Sequence, residues 1–367
     1  MRNKRISDEF FRSAVLKGNS TLFNTFSPSV IERKVKGDIY FEIQKGTEHF
    51  HLNERITKLV LSQIPINSSA CGFVQNKSYF DFLKPHVKGY YFLRLDIKKF
   101  FHSIPADEVK ELLKQYFSDQ KNGMNCSALD LALKSVLFTA SDKCFDEELR
   151  EKEILPIGFS SSPVISNILF RRIDILIQKF CEDKGITYSR YADDMLFSSS
   201  KSNYLHSIYF EKEISIFVSL LSLRLKKRKR AQAENTISLN GYVIQNTKYR
   251  KRNLFSVHHG ERVGTIRLSN KKTKIIKKLV ASLNKKKSPS MIMENLFGLN
   301  EKKFKKAYSC KEDFYKKYSS DQLQNKIKGY RSYLVSLIKF NDQTNSVQKE
   351  CLKAVTTLIF ELEKHIE

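Results

Sequence analysis

Two short β-prone runs flank a small acidic segment in the middle of the chain. The runs are 186–191 and 195–198, and Ala192-Asp193-Asp194 lies between them. Aromatic and β-branched residues on both sides of small polar residues are typical of a hairpin. Adjacent carboxylates on a tight turn repel one another unless a cation lies between them. The hairpin therefore indicates a hard metal ion, although Asp is also an ordinary turn residue.

A third carboxylate follows another β-prone run. The run begins at Tyr90 and ends in Asp96, and apolar residues at helical spacing then cover 97–104 and, after Pro105, 107–117. Asp96 therefore lies at the end of a predicted strand, where it could join the acids of the hairpin.

The remaining apolar patterns predict further elements. We expect strand-like text over 236–244 and helices near 53–62, 77–83, 129–138, 163–180, 210–223 and 271–283, with several more after 301. Residues 39–52 predict a hairpin that turns at Lys45-Gly46. Its basic turn could reach over a triphosphate, or it could be a solvated turn. Gly158 and the serines after it could let a nucleotide approach the backbone, or could simply cap a helix.

Charge narrows the choice of partners. The 367 residues carry a formal net charge of +26, with a pI near 9.7, and between Ser222 and Lys287 there are twenty Lys and Arg against two acids. An excess of this size favours nucleic acid as the partner. The longest apolar-leaning run, 214–223, is too short for a membrane span of about 20 residues, and the N-terminus lacks an apolar signal region. We therefore expect a cytoplasmic protein without a membrane partner.

These blocks, in this order, resemble a bacterial reverse transcriptase of the retron or defence-associated (antiphage) type. Leu93 to Ile104 resembles the first catalytic motif, Leu155 to Asn167 resembles the nucleotide-pocket motif, and Arg190 to Asp194 is similar to the signature hairpin. The resemblance covers about residues 35–340 and implies an α+β, right-hand polymerase fold with fingers, a palm of antiparallel sheet and helices, and a helical thumb. The implied divisions are an N-terminal extension over 1–34, fingers over 35–90, a palm with fingers insertions over 91–248, and thumb and C-terminal helices over 249–367.

The resemblance also implies the chemistry. Such an enzyme is an RNA-directed DNA polymerase that joins dNTPs to a primer 3′ end with two Mg²⁺ ions, for which Mn²⁺ can substitute. Asp96, Asp193 and Asp194 would be the catalytic carboxylates, with Asp96 and Asp193 bridging the ions and the Ile97 carbonyl adding an oxygen ligand.

Further contacts follow from the same resemblance. Phe101 would exclude a ribose 2′-hydroxyl; the other expected nucleotide contacts are Lys45, Ile157, Gly158, Phe159 and Lys229. Primer and template would meet Asn240, Gly241, Tyr242, Lys271 and Lys272. Expected partners are an RNA template in the form of a dedicated non-coding RNA, the DNA product, dNTPs and accessory defence proteins.

The chain departs from the family pattern at several positions. Ile157 stands where the family usually has Gln, and His49 stands where it has a fingers Arg, so Arg55 or Arg94 is expected to bind the triphosphate instead. The stretches Phe82 to His86 and Leu239 to Gly241 lack retron motifs, which favours a non-retron, defence-associated member. Two other functions stay open: template-independent or protein-primed synthesis of the abortive-infection type, and an RNA-binding, splicing-type scaffold with a vestigial polymerase site.

Overall fold

The computed structural model describes residues 5–35, 38–121, 126–246, 264–302, 304 and 312–366. Contacts along the chain define two compact units. The first comprises Met1–Pro85 and Tyr91–Gln232, and the second comprises His86–Tyr90 and Ala233–Glu367. The finer division into fingers, palm and thumb stays a prediction.

The first unit mixes helices with antiparallel strands, as the predicted α+β class requires. Its helices are α1 (Asp8–Phe10), α2 (Leu22–Thr25), α3 (Glu48–Leu59), α4 (Tyr79–Leu83), α5 (Phe100–Ser103), α6 (Ala106–Lys114), α7 (Ala128–Val136), α8 (Ser161–Glu182) and α9 (Ile208–Ser219). Its strands are β1 (Val30–Val35), β2 (Asp38–Ile43), β3 (Tyr91–Asp96), β4 (Phe138–Thr139), β5 (Glu153–Ile154), β6 (Thr187–Tyr191), β7 (Asp194–Ser199) and β8 (Ala231–Glu234), the last of which reaches the boundary of the unit.

A four-stranded sheet in the order β6-β7-β3-β8 carries the predicted acidic hairpin. Strands β6 and β7 pair antiparallel, and β7 pairs antiparallel with β3, so that Asp96 lies opposite Asp194. Every residue of β7 is buried, which explains why its sequence is apolar and small rather than alternating. The hairpin and the strand that ends in Asp96 are confirmed.

Helix α8 supports this sheet from behind. Pro163 lies in its first turn, where a missing N–H costs nothing, and Ile165, Ile173 and Ile177 lie on its buried face. The helix predicted over 163–180 is therefore confirmed, and it begins two residues earlier.

The predicted hairpin turning at Lys45-Gly46 is wrong. The hairpin lies earlier, because β1 pairs with β2 from Val30 opposite Ile43 to Val35 opposite Asp38. Residues expected to form the second strand instead begin α3, since the Thr47 side chain accepts a hydrogen bond from the Phe50 N–H at 3.3 Å. A Thr cap followed by Glu outweighs the alternation of apolar residues in this stretch.

The second unit joins a small sheet to long helices. Its strands, in the order β11-β10-β9, are β9 (Thr236–Leu239), β10 (Tyr242–Gln245) and β11 (Thr265–Leu268). Its helices are α10 (Asn270–Asn284), α11 (Pro289–Phe297), α12 (Glu312–Thr344) and α13 (Lys349–Glu363). The strand pattern over 236–244 is a hairpin, as predicted, while β11 lies in a segment expected to be helical. Across the described ranges, every helix is too short or too polar to serve as a membrane span.

Candidate active site

The turn between β6 and β7 holds its acids in a strained backbone. Ala192 has a φ of 55°, in the left-handed region that residues with a side chain rarely adopt. Gly72 lies directly against this turn, because a Cβ added to it would come within 2.6 Å of the Ala192 nitrogen. The close approach explains a glycine at position 72, and it fixes where Asp193 is presented.

A fully buried network behind the turn holds the same backbone. The guanidinium of Arg190 donates to both carboxylate oxygens of Asp174, at 2.9 and 2.7 Å, and neither side chain is exposed. It also donates to the Ala192 carbonyl at 2.9 Å and to the Asn167 side-chain oxygen at 3.0 Å. Sequence analysis gave Asp174, Asn167 and Arg190 no individual roles; the only signal was an acid and an amide on the apolar face of α8.

The structure brings Asp96 and Asp193 to one cavity of about 660 Å³ in the first unit. Ile97 lines the same cavity, and its N–H donates to the Asp193 carbonyl at 3.0 Å. The Asp96 carbonyl accepts from the Lys226 N–H at 2.7 Å. These backbone bonds lock together segments that are distant in sequence, so the two carboxylates share one wall, as the polymerase interpretation requires.

Asp194 has a different environment. Arg94 donates from Nε and from its terminal nitrogen to the two Asp194 oxygens, each at 2.6 Å. Burial raises the pKa of Asp194, and the Arg94 guanidinium opposes that shift without cancelling it. Arg94 was one of the cations suggested for the triphosphate, but in this structure two nitrogens of its guanidinium donate to Asp194 instead.

Lys229 is paired with Asp96. Its Nζ lies 2.7 Å from Asp96 Oδ2, and this hydrogen bond raises the pKa of Lys229. The other oxygen, Oδ1, is buried and has no hydrogen-bond partner among the residues that the structure describes. Burial and, after it, the neighbouring Asp96 carboxylate raise the pKa of Asp193.

These features fit a divalent cation. An unpartnered carboxylate oxygen and two repelling carboxylates are what a hard cation would relieve, and oxygen ligands are what Mg²⁺ prefers. Within the described ranges, no group of three or more His, Cys, Asp or Glu side chains is arranged to hold a metal ion. The carboxylates that fit the ion are Asp96 and Asp193, because Asp194 is occupied by Arg94.

Three other predicted contacts lie on the cavity wall, together with one that sequence analysis missed. Phe101, Ile157 and Lys229 line the cavity, and so does His102. The Ile157 N–H donates to His102 Nε2 at 3.2 Å. Burial, with the nearby Lys99 ammonium, lowers the pKa of His102 to about 4, so the ring is neutral and can accept this bond. His102 thus supports the backbone at the position where the family pattern has Gln.

The structure places three expected nucleotide contacts elsewhere. Lys45 is exposed in the turn before α3 and does not line the cavity. Gly158 has a φ of +116°, and a Cβ there would come within 2.5 Å of the Phe41 carbonyl oxygen, so its close neighbour is β2. Phe159 is 2% exposed and packs its ring edge against His49. Gly158 and Phe159 pack against β2 and α3 in this structure, and their contact with a nucleotide, like that of Lys45, stays a prediction.

His49 is also a core residue rather than a substitute for the expected fingers Arg. Its Nδ1 accepts from the Ser29 N–H at 3.1 Å, and its Nε2 lies 2.9 Å from the Ser135 carbonyl. Burial lowers the pKa of His49, which keeps the ring neutral. Arg55, the other suggested cation, lies 3.9 Å from the Glu48 carboxylate, outside the cavity lining.

Four of the five expected primer and template contacts lie together in the second unit, namely Asn240, Gly241, Tyr242 and Lys272. Asn240 and Gly241 make the turn between β9 and β10, and Tyr242 is buried, with its ring 4.8 Å from that of Tyr333. A Cβ on Gly241 would come within 2.7 Å of Lys272 Cγ, and Lys272 Nζ lies 5.6 Å from the Tyr333 ring. Tyr242 therefore supports the turn from inside, whereas Lys271 is exposed on α10.

The segment that carries this site is similar in sequence to known reverse transcriptases. Residues 47–244 match the family described as reverse transcriptase (RNA-dependent DNA polymerase). Over 150 residues the chain is 33% identical to the retron Ec83 reverse transcriptase of Escherichia coli, covering 41% of this chain and 45% of that protein. Over 204 residues it is 27% identical to the retron Mx65 reverse transcriptase of Myxococcus xanthus, covering 52% and 45%. The chain thus spans about half the length of these curated relatives. Because they are retron enzymes, the expectation of a non-retron member gains no support.

Among solved structures, telomerase from Candida albicans, in complex with a fragment of telomeric RNA, is similar with a TM-score of 0.46 and 12% identity. The likeness covers 98% of this chain and 68% of that one.

Proposed function

Because the chain belongs to the reverse transcriptase family, we propose that it is an RNA-directed DNA polymerase that joins dNTPs to a primer 3′ end. The family match and the antiparallel sheet with its helices also confirm the predicted α+β, right-hand polymerase fold. The observation that carries the proposal is the meeting of Asp96 and Asp193 on one cavity wall, with a buried Asp96 oxygen left unpartnered.

Asp96 and Asp193 would hold the catalytic cations, with Asp194 fixed beside them by Arg94. Two Mg²⁺ ions, or Mn²⁺ in their place, would stabilise the attacking and leaving oxygens of the in-line displacement when bound. Lys229 neutralises Asp96 in the structure described here. Its flexible side chain is half exposed and lines the cavity, so it can turn from Asp96 to phosphate oxygens.

The cavity also suits selection of the sugar. The ring of Phe101 lines the wall two residues beyond Lys99 and is buttressed by Phe100, with ring centroids 5.2 Å apart. A supported aromatic ring has little room to move aside for a 2′-hydroxyl. Preference for deoxynucleotides over ribonucleotides follows.

The excess positive charge supports a nucleic-acid partner. A net charge of +26 and the exposed lysines of α10 favour phosphate contacts that do not depend on base sequence. By analogy with the retron relatives, we extend the proposal to a dedicated non-coding RNA template, accessory defence proteins and a role in antiphage defence.

A polymerase assay tests the proposal directly. Purified protein with its co-purified RNA, dNTPs and Mg²⁺ should make DNA complementary to that RNA, as product sequencing would show. Asp96→Asn and Asp193→Asn should each lower the rate by roughly 10³-fold or more, since the charge on the metal ligands is lost. Asp107→Asn, an exposed acid on α6, serves as the matched control and should keep full activity.

Two outcomes would contradict the proposal. If the wild-type protein incorporates no nucleotide, or if both active-site variants keep wild-type rates, the site is not a polymerase centre. Product without any counterpart in the bound RNA would instead indicate template-independent synthesis.

A further inference from the structure

Lys99 occupies an unusual position between the metal-binding and sugar-selecting residues. It lies three residues after Asp96 and two before Phe101, and it lines the same cavity. Its backbone is left-handed, with a φ of 45°. Its Nζ donates to Asp146 Oδ2 at 2.7 Å and to Glu148 Oε2 at 2.8 Å. A strained, cationic residue at a functional site calls for a chemical explanation.

The backbone segment that carries the two carboxylates is held in place, and the Asp146 carboxylate is fixed within it. Asp146 Oδ1 accepts from the Glu148 N–H at 3.0 Å, which caps a short helical turn. On either side of this segment, Cys144 and Leu149 are buried in the core cluster that contains Phe41. Because the Asp146 carboxylate is anchored, the flexible member of that pair is the lysine side chain.

The ion pairs are exchangeable. The Lys99 side chain is 35% exposed, and those of Asp146 and Glu148 are 24% and 67% exposed. Water and salt weaken pairs with this degree of exposure, so a more highly charged anion can displace the carboxylates. The triphosphate of an incoming nucleotide is such an anion.

The cavity also needs a cation for that anion. Four ammonium groups line it, from Lys34, Lys99, Lys226 and Lys229. Lys229 is bonded to Asp96, on the metal-binding wall. Lys99 lies on the short segment between Asp96 and Phe101, so it would lie beside both the reacting end and the sugar end of a nucleotide in this cavity.

We infer that Lys99 is a phosphate-binding residue of the nucleotide pocket and that Asp146 and Glu148 compete with the triphosphate for it. The inference rests on the proposed function, and it deepens that proposal by naming a cation that sequence motifs do not single out. The acids would weaken nucleotide binding while keeping the empty pocket free of other anions.

The test is a double-mutant cycle on nucleotide affinity. KM and kcat for dTTP, and inhibition by inorganic tripolyphosphate, are measured for K99Q, for D146N/E148Q and for the combined variant. K99Q should raise KM and the tripolyphosphate inhibition constant about tenfold, with kcat changed less than about threefold. D146N/E148Q should lower both constants about threefold. In the K99Q background this gain should disappear, because the acids act through the lysine.

A neighbouring triad provides the matched control. Lys110 also bridges two acids, Asp107 at 3.3 Å and Glu153 at 2.7 Å, but it does not line this cavity. D107N/E153Q should therefore leave KM for dTTP unchanged. K99R should keep KM within about threefold of wild type, and thermal unfolding of each variant would show that it is folded.

The outcomes separate this inference from the proposed function. An unchanged KM in K99Q would overturn the role of Lys99. An equal gain from D146N/E148Q with and without Lys99 would show direct repulsion by the acids and would overturn the competition. If the wild-type protein lacks polymerase activity, the proposed function fails, and calorimetric binding of tripolyphosphate to the same variants still decides whether Lys99 binds phosphate.

Discussion

The charged side chains behind the Asp193-Asp194 hairpin are arranged differently from those in front of it. Behind it, Arg190 and Asp174 form a pair in which neither side chain is exposed, and Arg190 also bonds to Asn167 and to the Ala192 carbonyl. In front of it, half-exposed Lys229 touches one oxygen of Asp96 and leaves the other unpartnered. In the rear pair both carboxylate oxygens of Asp174 accept hydrogen bonds, whereas in the front pair only one oxygen of Asp96 does so among the described residues.

The difference shows how one turn can be rigid and still be ready for ligands. A planar guanidinium that makes several bonds in a dry environment fixes geometry, because breaking any bond leaves a buried charge. A single ammonium on a flexible stem can leave a carboxylate when a stronger cation arrives. The hairpin is therefore stabilised from the side away from the cavity that Asp96 and Asp193 line.

The largest expected effect comes from breaking the rear pair. Arg190→Met should cost about 3–5 kcal/mol of unfolding free energy, because it leaves the Asp174 carboxylate buried without a cation. Urea unfolding followed by circular dichroism measures the loss. Arg190→Met with Asp174→Leu should recover much of it. Arg172→Met, an exposed arginine of α8 paired with Glu108, is the control and should cost less than about 1 kcal/mol. Equal losses in the two arginine variants would remove the distinction between the sides.

An intermediate effect concerns pH and metal on the front side. The pKa of Asp193 is raised in the folded protein, so the folded state binds its proton more tightly than the unfolded state does. In EDTA, stability relative to Asp193→Asn should therefore fall as pH rises from the ordinary Asp value of about 3.9 through the raised pKa. Mg²⁺ at 100 times its dissociation constant should stabilise the wild-type protein by about 2.7 kcal/mol at pH 7.

Unfolding curves between pH 4 and pH 7, with EDTA and with Mg²⁺, measure both effects. Asp193→Asn should lose the part of the pH dependence that comes from Asp193, while the part from Asp194 remains, and it should lose most of the stabilisation by Mg²⁺. Equal stabilisation of the two proteins by Mg²⁺ would mean that the ion binds elsewhere.

The smallest expected effect comes from removing the front cation. Lys229→Gln should change the unfolding free energy by less than about 1 kcal/mol, because Lys229 is half exposed and Gln can still donate to Asp96. The same variant should raise KM for dNTPs, since a phosphate contact is lost, and steady-state kinetics would show it. A loss of stability as large as that of Arg190→Met would show that the front pair is as structural as the rear one.

Short-range sequence patterns predicted most of the helices and strands around the site. They gave a wrong prediction where two patterns in the same stretch favoured different elements. The hairpin around Ala192, the strand that ends in Asp96 and helix α8 follow directly from apolar spacing, turn residues and Pro163. The stretch after Ile43 also alternates like a strand, yet the Thr47 cap converts it to helix α3. The hydrogen bond from the Phe50 N–H to the Thr47 side chain, three residues earlier, favours a helix more strongly than the alternation of apolar residues favours a strand.

The sequence predicted which acidic residues belong to the candidate site, but it did not predict which basic side chains pair with which acids. Motif order identified Asp96 and Asp193, and the structure places both on one cavity wall. The sequence did not show that Lys99 forms an ion pair with Asp146. It also did not show that the backbone of Gly158 packs against Phe41. A basic side chain has many possible acidic partners in a chain of this length.

By itself, the sequence determined the strand that ends in Asp96, the turn at Ala192 and the order of the acidic motifs, because these depend on neighbours within a few residues. Only the tertiary structure decided which charge meets which. Arg94 forms an ion pair with Asp194, which lies 100 residues away in the sequence, and Lys229 forms one with Asp96 at a sequence separation of 133 residues. Such pairs depend on how strands and loops pack, since an ion pair forms wherever packing brings opposite charges within contact distance and excludes the water that would otherwise separate them.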